Sequence, residues 1–137
     1  MKVLIITQYF WPESFRINDL ALGLKERGHA VTVLTGMPNY PSGKFFPGYG
    51  FFSPGQETYE GISVLRVPLF PRGEGQGWRL AMNFFSFAVF ASLLAPFRCR
   101  KEIDLILVYE PSPVTVGIPA IVLKKLRGAP ILFWVQD

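Results

Sequence analysis

The chain has 137 residues, 50% hydrophobic and 15% aromatic, with 18% charged and a formal net charge of +4. That is one domain's length, too apolar for a disordered segment, and a single cysteine (Cys99) and a single histidine (His29) exclude a disulfide scaffold and the usual zinc sites. Charge is scarcer than in an average soluble domain (about 25%), so an apolar surface beyond the core is expected.

Val3 to Ile6 is a short all-apolar run, the pattern of a strand buried on both faces. It is too short for a secretory signal, so the expected location is the cytoplasm. Ile17, Leu20, Ala21 and Leu24 then recur at helical spacing, with Ser14 as N-cap, Lys25 and Arg27 in the last turn and Gly28 just beyond it. Ala30 to Thr35 is a second strand, completing a βαβ unit. His29 belongs at the entrance of that strand rather than in chemistry. Met37 to Gly55, punctuated by Pro, Gly and aromatics, is a long loop of the functional kind. Glu57 to Glu60 and Ile62 to Val67 form two short strands about Gly61. Leu80 to Phe97 is an apolar helix, Asp104 to Tyr109 a strand, and Ser112-Pro113 the start of a helix to about Leu126 that Pro119 should kink. Pro130 to Val135 is the last strand. The alternation predicts an α/β fold, a doubly wound parallel sheet of Rossmann-like type. A chain stopping two residues after a strand is also expected to be the first part of a longer protein.

In such sheets ligands sit outside the carboxyl ends of the strands. The loops leaving those ends carry Gln8 to Arg16, Gly36 to Lys44, Glu110 to Pro113, and Gln136-Asp137, whereas the opposite loops are short and basic. No G-x-G-x-x-G follows the first strand and there is no P-loop, which argues against a nicotinamide-dependent oxidoreductase. The N-terminus near Ser14 can still hold an anion, with Arg16 adding a charge-assisted contact or pairing with Glu13 or Asp19 on the surface. Glu13, Glu110 and Asp137 reach one edge from different strands, a set suited to accepting a hydroxyl proton or binding sugar hydroxyls; Glu110 as a helix cap is the plainer alternative.

Leu80 to Phe97 contains 18 residues without a formal charge, with Arg79 before it and Arg98, Arg100 and Lys101 after it. Spanning a bilayer would split one sheet across the membrane, although the length overlaps the lower range for a crossing. Two readings remain, a core helix or a helix with one face on the sheet and the other dipping into an anionic membrane surface; membrane contact accounts better for Phe on all sides. Nucleic acid is not expected as a partner, because no stripe of Lys and Arg interleaves with exposed loop aromatics.

Six motifs in order carry a resemblance. They are Tyr9-Phe10-Trp11-Pro12-Glu13-Ser14, Arg27 to Thr35, Pro38-Asn39-Tyr40-Pro41-Ser42-Gly43, Ser86-Phe87-Ala88, Tyr109-Glu110-Pro111-Ser112-Pro113 and Phe133 to Asp137. With these the chain resembles the N-terminal domain of GT-B glycosyltransferases of family 4. The likeness points to bacterial enzymes building exopolysaccharide, capsule or O-antigen units, the colanic-acid and WbuB-like group. The resemblance implies an acceptor-side domain spanning residues 1–137, a C-terminal nucleotide-sugar domain absent from this chain, and metal-independent transfer with retention, needing no cofactor beyond the donor substrate. It implies an acceptor of the undecaprenyl-diphosphate-linked type at the inner face of the cell membrane, met through Leu80 to Phe97. Asp137 and Glu110 would orient or deprotonate the acceptor hydroxyl. Glu13, Ser14 and Arg16 would lie where donor diphosphate and acceptor meet, and Asn39 and Tyr40 would contact acceptor sugars. Phe15 and Arg16 stand where many members have a glycine pair, so the phosphate contact passes in part to Arg16. Tyr109 stands where some have a histidine, and no histidine role carries over. The isolated chain should be inactive. The rival readings are a non-catalytic membrane-surface binding module and an inactive truncated fragment.

Overall fold

Alternate residues of the first apolar run face opposite ways, and both faces are buried. Val3 and Ile5 join a core with Ile17, Ala21, Val33 and Val64, while Leu4 and Ile6 join one with Leu34, Phe87, Ile106 and Leu123. This is the structure of the chain in a computed structural model, which describes residues 1–99, 102–110 and 114–135. The strands are β1 (Lys2–Thr7), β2 (Ala30–Gly36), β3 (Gln56–Tyr59), β4 (Ile62–Val67), β5 (Leu105–Glu110) and β6 (Ile131–Val135). The helices are α1 (Arg16–Glu26), α2 (Gly77–Arg98) and α3 (Gly117–Arg127).

The sheet order is β3-β4-β2-β1-β5-β6, parallel except for β3, which pairs antiparallel with β4 at the edge. The expected doubly wound parallel sheet is found, with one antiparallel edge, since a tight turn through Glu60 (φ 49°) and Gly61 (φ 82°) returns β3 directly into β4. Helix α1 covers one face; α2 and α3 cover the other, which is double winding. The chain moves outward from β1 to β2 and β4, then crosses back through α2 to β5 on the far side of β1. The switch point thus lies between β1 and β5, where open α/β sheets offer a crevice.

Helix α1 ends as its residues require. Gly28, at φ 91°, supplies the left-handed turn while Gly28 N–H bonds Lys25 O at 3.0 Å and His29 N–H bonds Leu24 O at 3.2 Å. His29 stands at the entrance of β2, its Nδ1 3.0 Å from the Met1 amine. The start of α1 differs from expectation. Phe15, not Ser14, occupies the N-cap and makes no side-chain cap, because Glu13 N–H turns back onto Phe10 O at 2.9 Å and leaves Ser14 exposed. The expected kink at Pro119 is also replaced. A 3₁₀ segment at Val114–Val116 precedes α3, which places Pro119 in the first α-turn, where a missing N–H breaks no intrahelical bond. The caps Ser112 and Pro113 lie outside the described residues.

Helix α2 packs Asn83, Phe87, Ala91 and Ala95 inward, and Cys99 at its C-cap is buried. Burial pushes the Cys99 thiol up to about 11, although Arg127 opposes this. The thiol is therefore protonated at neutral pH. A disulfide reagent is expected to label Cys99 only on unfolding, and rapid labelling of the folded chain would contradict this packing.

Candidate functional site

The loops leaving β1 and β2 are bound together through one carboxylate. Glu13 is 1% exposed. Its Oε1 accepts from Phe10 N–H at 3.2 Å, and its Oε2 accepts from Asn39 N–H at 3.0 Å and Tyr40 N–H at 2.8 Å. Burial raises its carboxyl to about 7, against the opposing pull of those three N–H groups and of the Arg66 charge. Asn39, also buried, extends the brace: its Nδ2 donates to Met37 O at 3.0 Å and its Oδ1 accepts from Arg72 N–H at 3.0 Å. Both side chains are spent on backbone groups. Between them they hold three loops in one register.

Above this brace lies an aromatic surface. Tyr9 stacks on Phe15 with ring centroids 4.8 Å apart, and Tyr40 leans on both at 5.5 and 5.0 Å. The Arg72 guanidinium sits 4.9 Å over the Tyr40 ring, and its Nη1 donates to Tyr9 Oη at 2.7 Å. Burial pushes the Tyr9 phenol up to about 12 despite Arg72. Ser14 and Arg16 are exposed at the junction with α1, beside this surface. Tyr109, at the end of β5, is held above its ordinary value by burial, with the Arg16 charge and backbone N–H opposing.

The structure therefore brings Glu13, Asn39 and Tyr40 together, with Ser14 and Arg16 adjoining in sequence. Glu110 closes β5 at the same carboxyl edge of the sheet, registered with Val135. Asp137 lies outside the described residues.

Two arginines of the site were missed. Arg72 left no sequence signal, being one cation in a Pro- and Gly-rich loop. Arg66 did leave one, as a charge inside the apolar strand β4. Its side chain is 1% exposed and reaches below the rim, where Nη1 donates to Gly36 O at 2.7 Å, Nη2 to Trp11 O and Nε to Glu57. A second buried polar line supports the rim from α2: Gln8 Nε2 donates to Asn83 Oδ1 at 2.6 Å, and Asn83 Nδ2 to Phe70 O at 2.7 Å. Ser86 Oγ accepts from Phe70 N–H at 2.9 Å.

A braced carboxyl edge without a dinucleotide fingerprint narrows the fold to many ligand classes, and comparison with known families decides among them. Residues 14–137 match the glycosyl transferase 4-like domain. The chain belongs to that family. This glycosyl transferase 4-like domain finds no match among curated proteins. Among solved structures it is similar to the C-terminal domain of a hydrogenase from Pyrococcus furiosus, at 19% identity over 96% of this chain and 89% of that one, with a TM-score of 0.58. At that identity the likeness concerns the fold alone. Family membership assigns the domain to glycosyltransferases, and the six-stranded, mostly parallel sheet is consistent with half of a GT-B fold.

Proposed function

We propose that this domain is the acceptor-side lobe of a retaining GT-B glycosyltransferase that moves a sugar from a nucleotide-sugar to a lipid-linked glycan. The setting we infer is bacterial surface-polysaccharide synthesis, on the inner face of the cell membrane. The observation that carries the reading is the braced rim: buried Glu13 and Asn39 fix Tyr40 and Arg72 at the sheet's carboxyl edge in a chain of glycosyltransferase family. An aromatic face packs against the C–H face of a sugar, and a guanidinium beside it donates to hydroxyls. In this reading Tyr40 and Arg72 receive the acceptor sugar. Arg16 and Ser14, at the N-terminus of α1, meet the donor diphosphate, and Glu110 and Asp137 orient or deprotonate the attacking hydroxyl. Glu13 and Asn39 are positioning residues.

Charge developing on the departing nucleoside diphosphate needs preorganised cations, which we assign to a second, nucleotide-sugar-binding lobe. Nucleotide release from a nucleotide-sugar tests the division. The expected result is none with residues 1–137 alone and turnover with a two-lobed protein plus acceptor. Turnover by the lone domain, or none by the two-lobed protein, overturns the reading.

The exposed side of α2 supports a membrane setting. Trp78, Met82, Phe85, Val89, Leu93 and Phe97 follow one another at spacings of three and four, forming one apolar stripe with Arg79 and Arg98 beside its two ends. Phe51 extends it sideways, packing on Phe90 at 5.6 Å and Phe70 at 5.7 Å. With a net charge of +4 the matching surface is an anionic bilayer. In flotation at low salt the chain should rise with anionic liposomes, and Phe85→Ser with Leu93→Ser should abolish this. A wild-type chain that stays at the bottom refutes membrane contact.

A further inference from the structure

Next to the rim, residues 43–45 after β2 and residues 71–79, from the loop after β4 into the first turn of α2, face each other across a cleft of about 530 Å³. The two loops touch through bare backbone: Gly73 N–H donates to Gly43 O at 3.0 Å, and a Cβ on Gly43 (φ 81°) would fall 1.6 Å from Gly73 O. Phe45 and Pro71 add apolar lining, and the polar side chains carry the chemistry. Lys44 stands on one side and Arg79 on the other, with Glu74 and Gln76 between them along the second loop. Among the described residues neither Lys44 nor Arg79 is ion-paired. Arg79 also lies in the first turn of a 22-residue helix that has no acidic residue there and no side-chain cap. A cation at that end opposes the helix dipole, and an anion in the cleft would satisfy both.

The cleft adjoins the apolar stripe of α2 through Arg79, which lines the cleft and precedes the rest of the stripe beside Trp78. Arg79 stacks 5.0 Å over the ring of Trp78, the first residue of that stripe, so a fixed cation and a long apolar surface meet at one place. From Trp78 to Phe97 the stripe runs for about 29 Å at the α-helical rise.

We propose that this cleft binds the phosphate or diphosphate group of an amphiphilic substrate whose hydrocarbon chain lies along α2. Arg79 supplies a forked donor, Lys44 a point charge and Gln76 a neutral donor, the combination that suits phosphate oxygens. The site lies beside Tyr40 and Arg72 in the chain's loop cluster, so an anchored headgroup would leave its sugar near the rim. The inference rests on the reading of the substrate as lipid-borne, and deepens it by naming where the phosphate sits.

The test uses the whole chain and neutral phosphatidylcholine vesicles doped either with a polyprenol or with the corresponding polyprenyl diphosphate. Wild type should bind the diphosphate vesicles roughly tenfold or more tightly than the polyprenol vesicles, as expected for loss of one charged hydrogen bond. Lys44→Gln with Arg79→Gln should lose that preference while binding polyprenol vesicles as wild type does, with unchanged circular dichroism. Phe85→Ser with Leu93→Ser should lose both vesicles yet still respond to inorganic diphosphate by Trp78 fluorescence, with Trp78→Phe as control. Competition by inorganic diphosphate against the doped vesicles shows that the phosphate itself is recognised. Equal binding of both vesicles by wild type, or a preference retained by the Lys44/Arg79 variant, overturns the proposal. If wild type binds no vesicle at all, contact with a neutral bilayer fails, and the inorganic diphosphate titration alone then decides the cleft: a response lost in the Lys44/Arg79 variant upholds it, and no response overturns it.

Discussion

Glu13→Ala is expected to destabilise the domain by about 3–5 kcal/mol, because it leaves the N–H groups of Phe10, Asn39 and Tyr40 without partners in a buried site at about 1–3 kcal/mol each. Urea unfolding measures it, and a loss under about 1 kcal/mol would show that the loops hold together without the carboxylate. The pH dependence carries a second signature. The carboxyl titrates near 7 in the folded chain against an ordinary 4.5, so between these values the folded state holds more protons than the unfolded one. Stability from this group is then fully present below 4.5 and lost as pH rises through 7. The shift corresponds to about 3 kcal/mol. Glu13→Gln removes the titration, so its unfolding free energy should no longer carry this fall across that window. A slope identical to wild type would assign the titration elsewhere. Acceptor binding should weaken in both variants, since Tyr40 loses its anchor.

Arg66→Met carries the other large effect. The guanidinium is fully buried and its three contacts join β4 to the loop after β1, to the end of β2 and to β3. Methionine fills much of the volume but leaves Gly36 O and Trp11 O without donors. Glu57 fares better, since it is partly exposed and keeps the Tyr49 hydroxyl at 2.9 Å. The expected loss is therefore at the lower end for a broken buried pair, about 3 kcal/mol. Arg66→Lys should lose less, because an ammonium keeps a charged donor for Glu57, yet it should fall short of wild type, because it cannot span three acceptors on different segments. Equal denaturation midpoints for wild type and Arg66→Met would refute the assignment.

The first strand was legible because burial on both faces leaves a run of apolar residues that little else produces, and Val3 to Ile6 is found where its composition puts it; Ile62 to Val67 is found in place too, with Arg66 breaking its apolar pattern. The antiparallel turn of β3 into β4 was readable as a pair of strands but not as a change of direction, which is set by pairing across the sheet. The helix starts were least legible. Ser14 has the right chemistry for an N-cap, yet the tertiary demand for Glu13 inside the rim shifted the cap by one residue. The rim itself was visible as a set of loops at one sheet edge, and Glu13, Asn39 and Tyr40 do meet there. What could not be read was which atoms face inward. A Glu and an Asn in an aromatic loop look the same in sequence whether they grip a ligand or the loop's own backbone, and only the three-dimensional path of residues 37–40 and 70–73 distinguishes these.

The two margins of the sheet behave differently toward other chains. On one side β3, reading Gln56-Glu57-Thr58-Tyr59, presents polar and charged groups that discourage stray pairing. On the other, β6 is a run of Ile, Leu, Phe, Trp and Val with Leu132 and Val135 more than half exposed, and among the described residues it pairs on one flank only, with β5. An apolar strand with a free row of peptide groups is a template for addition. Colloidal stability of the purified domain should accordingly be governed by β6, and a lysine at position 132 should improve solubility without disturbing the opposite margin.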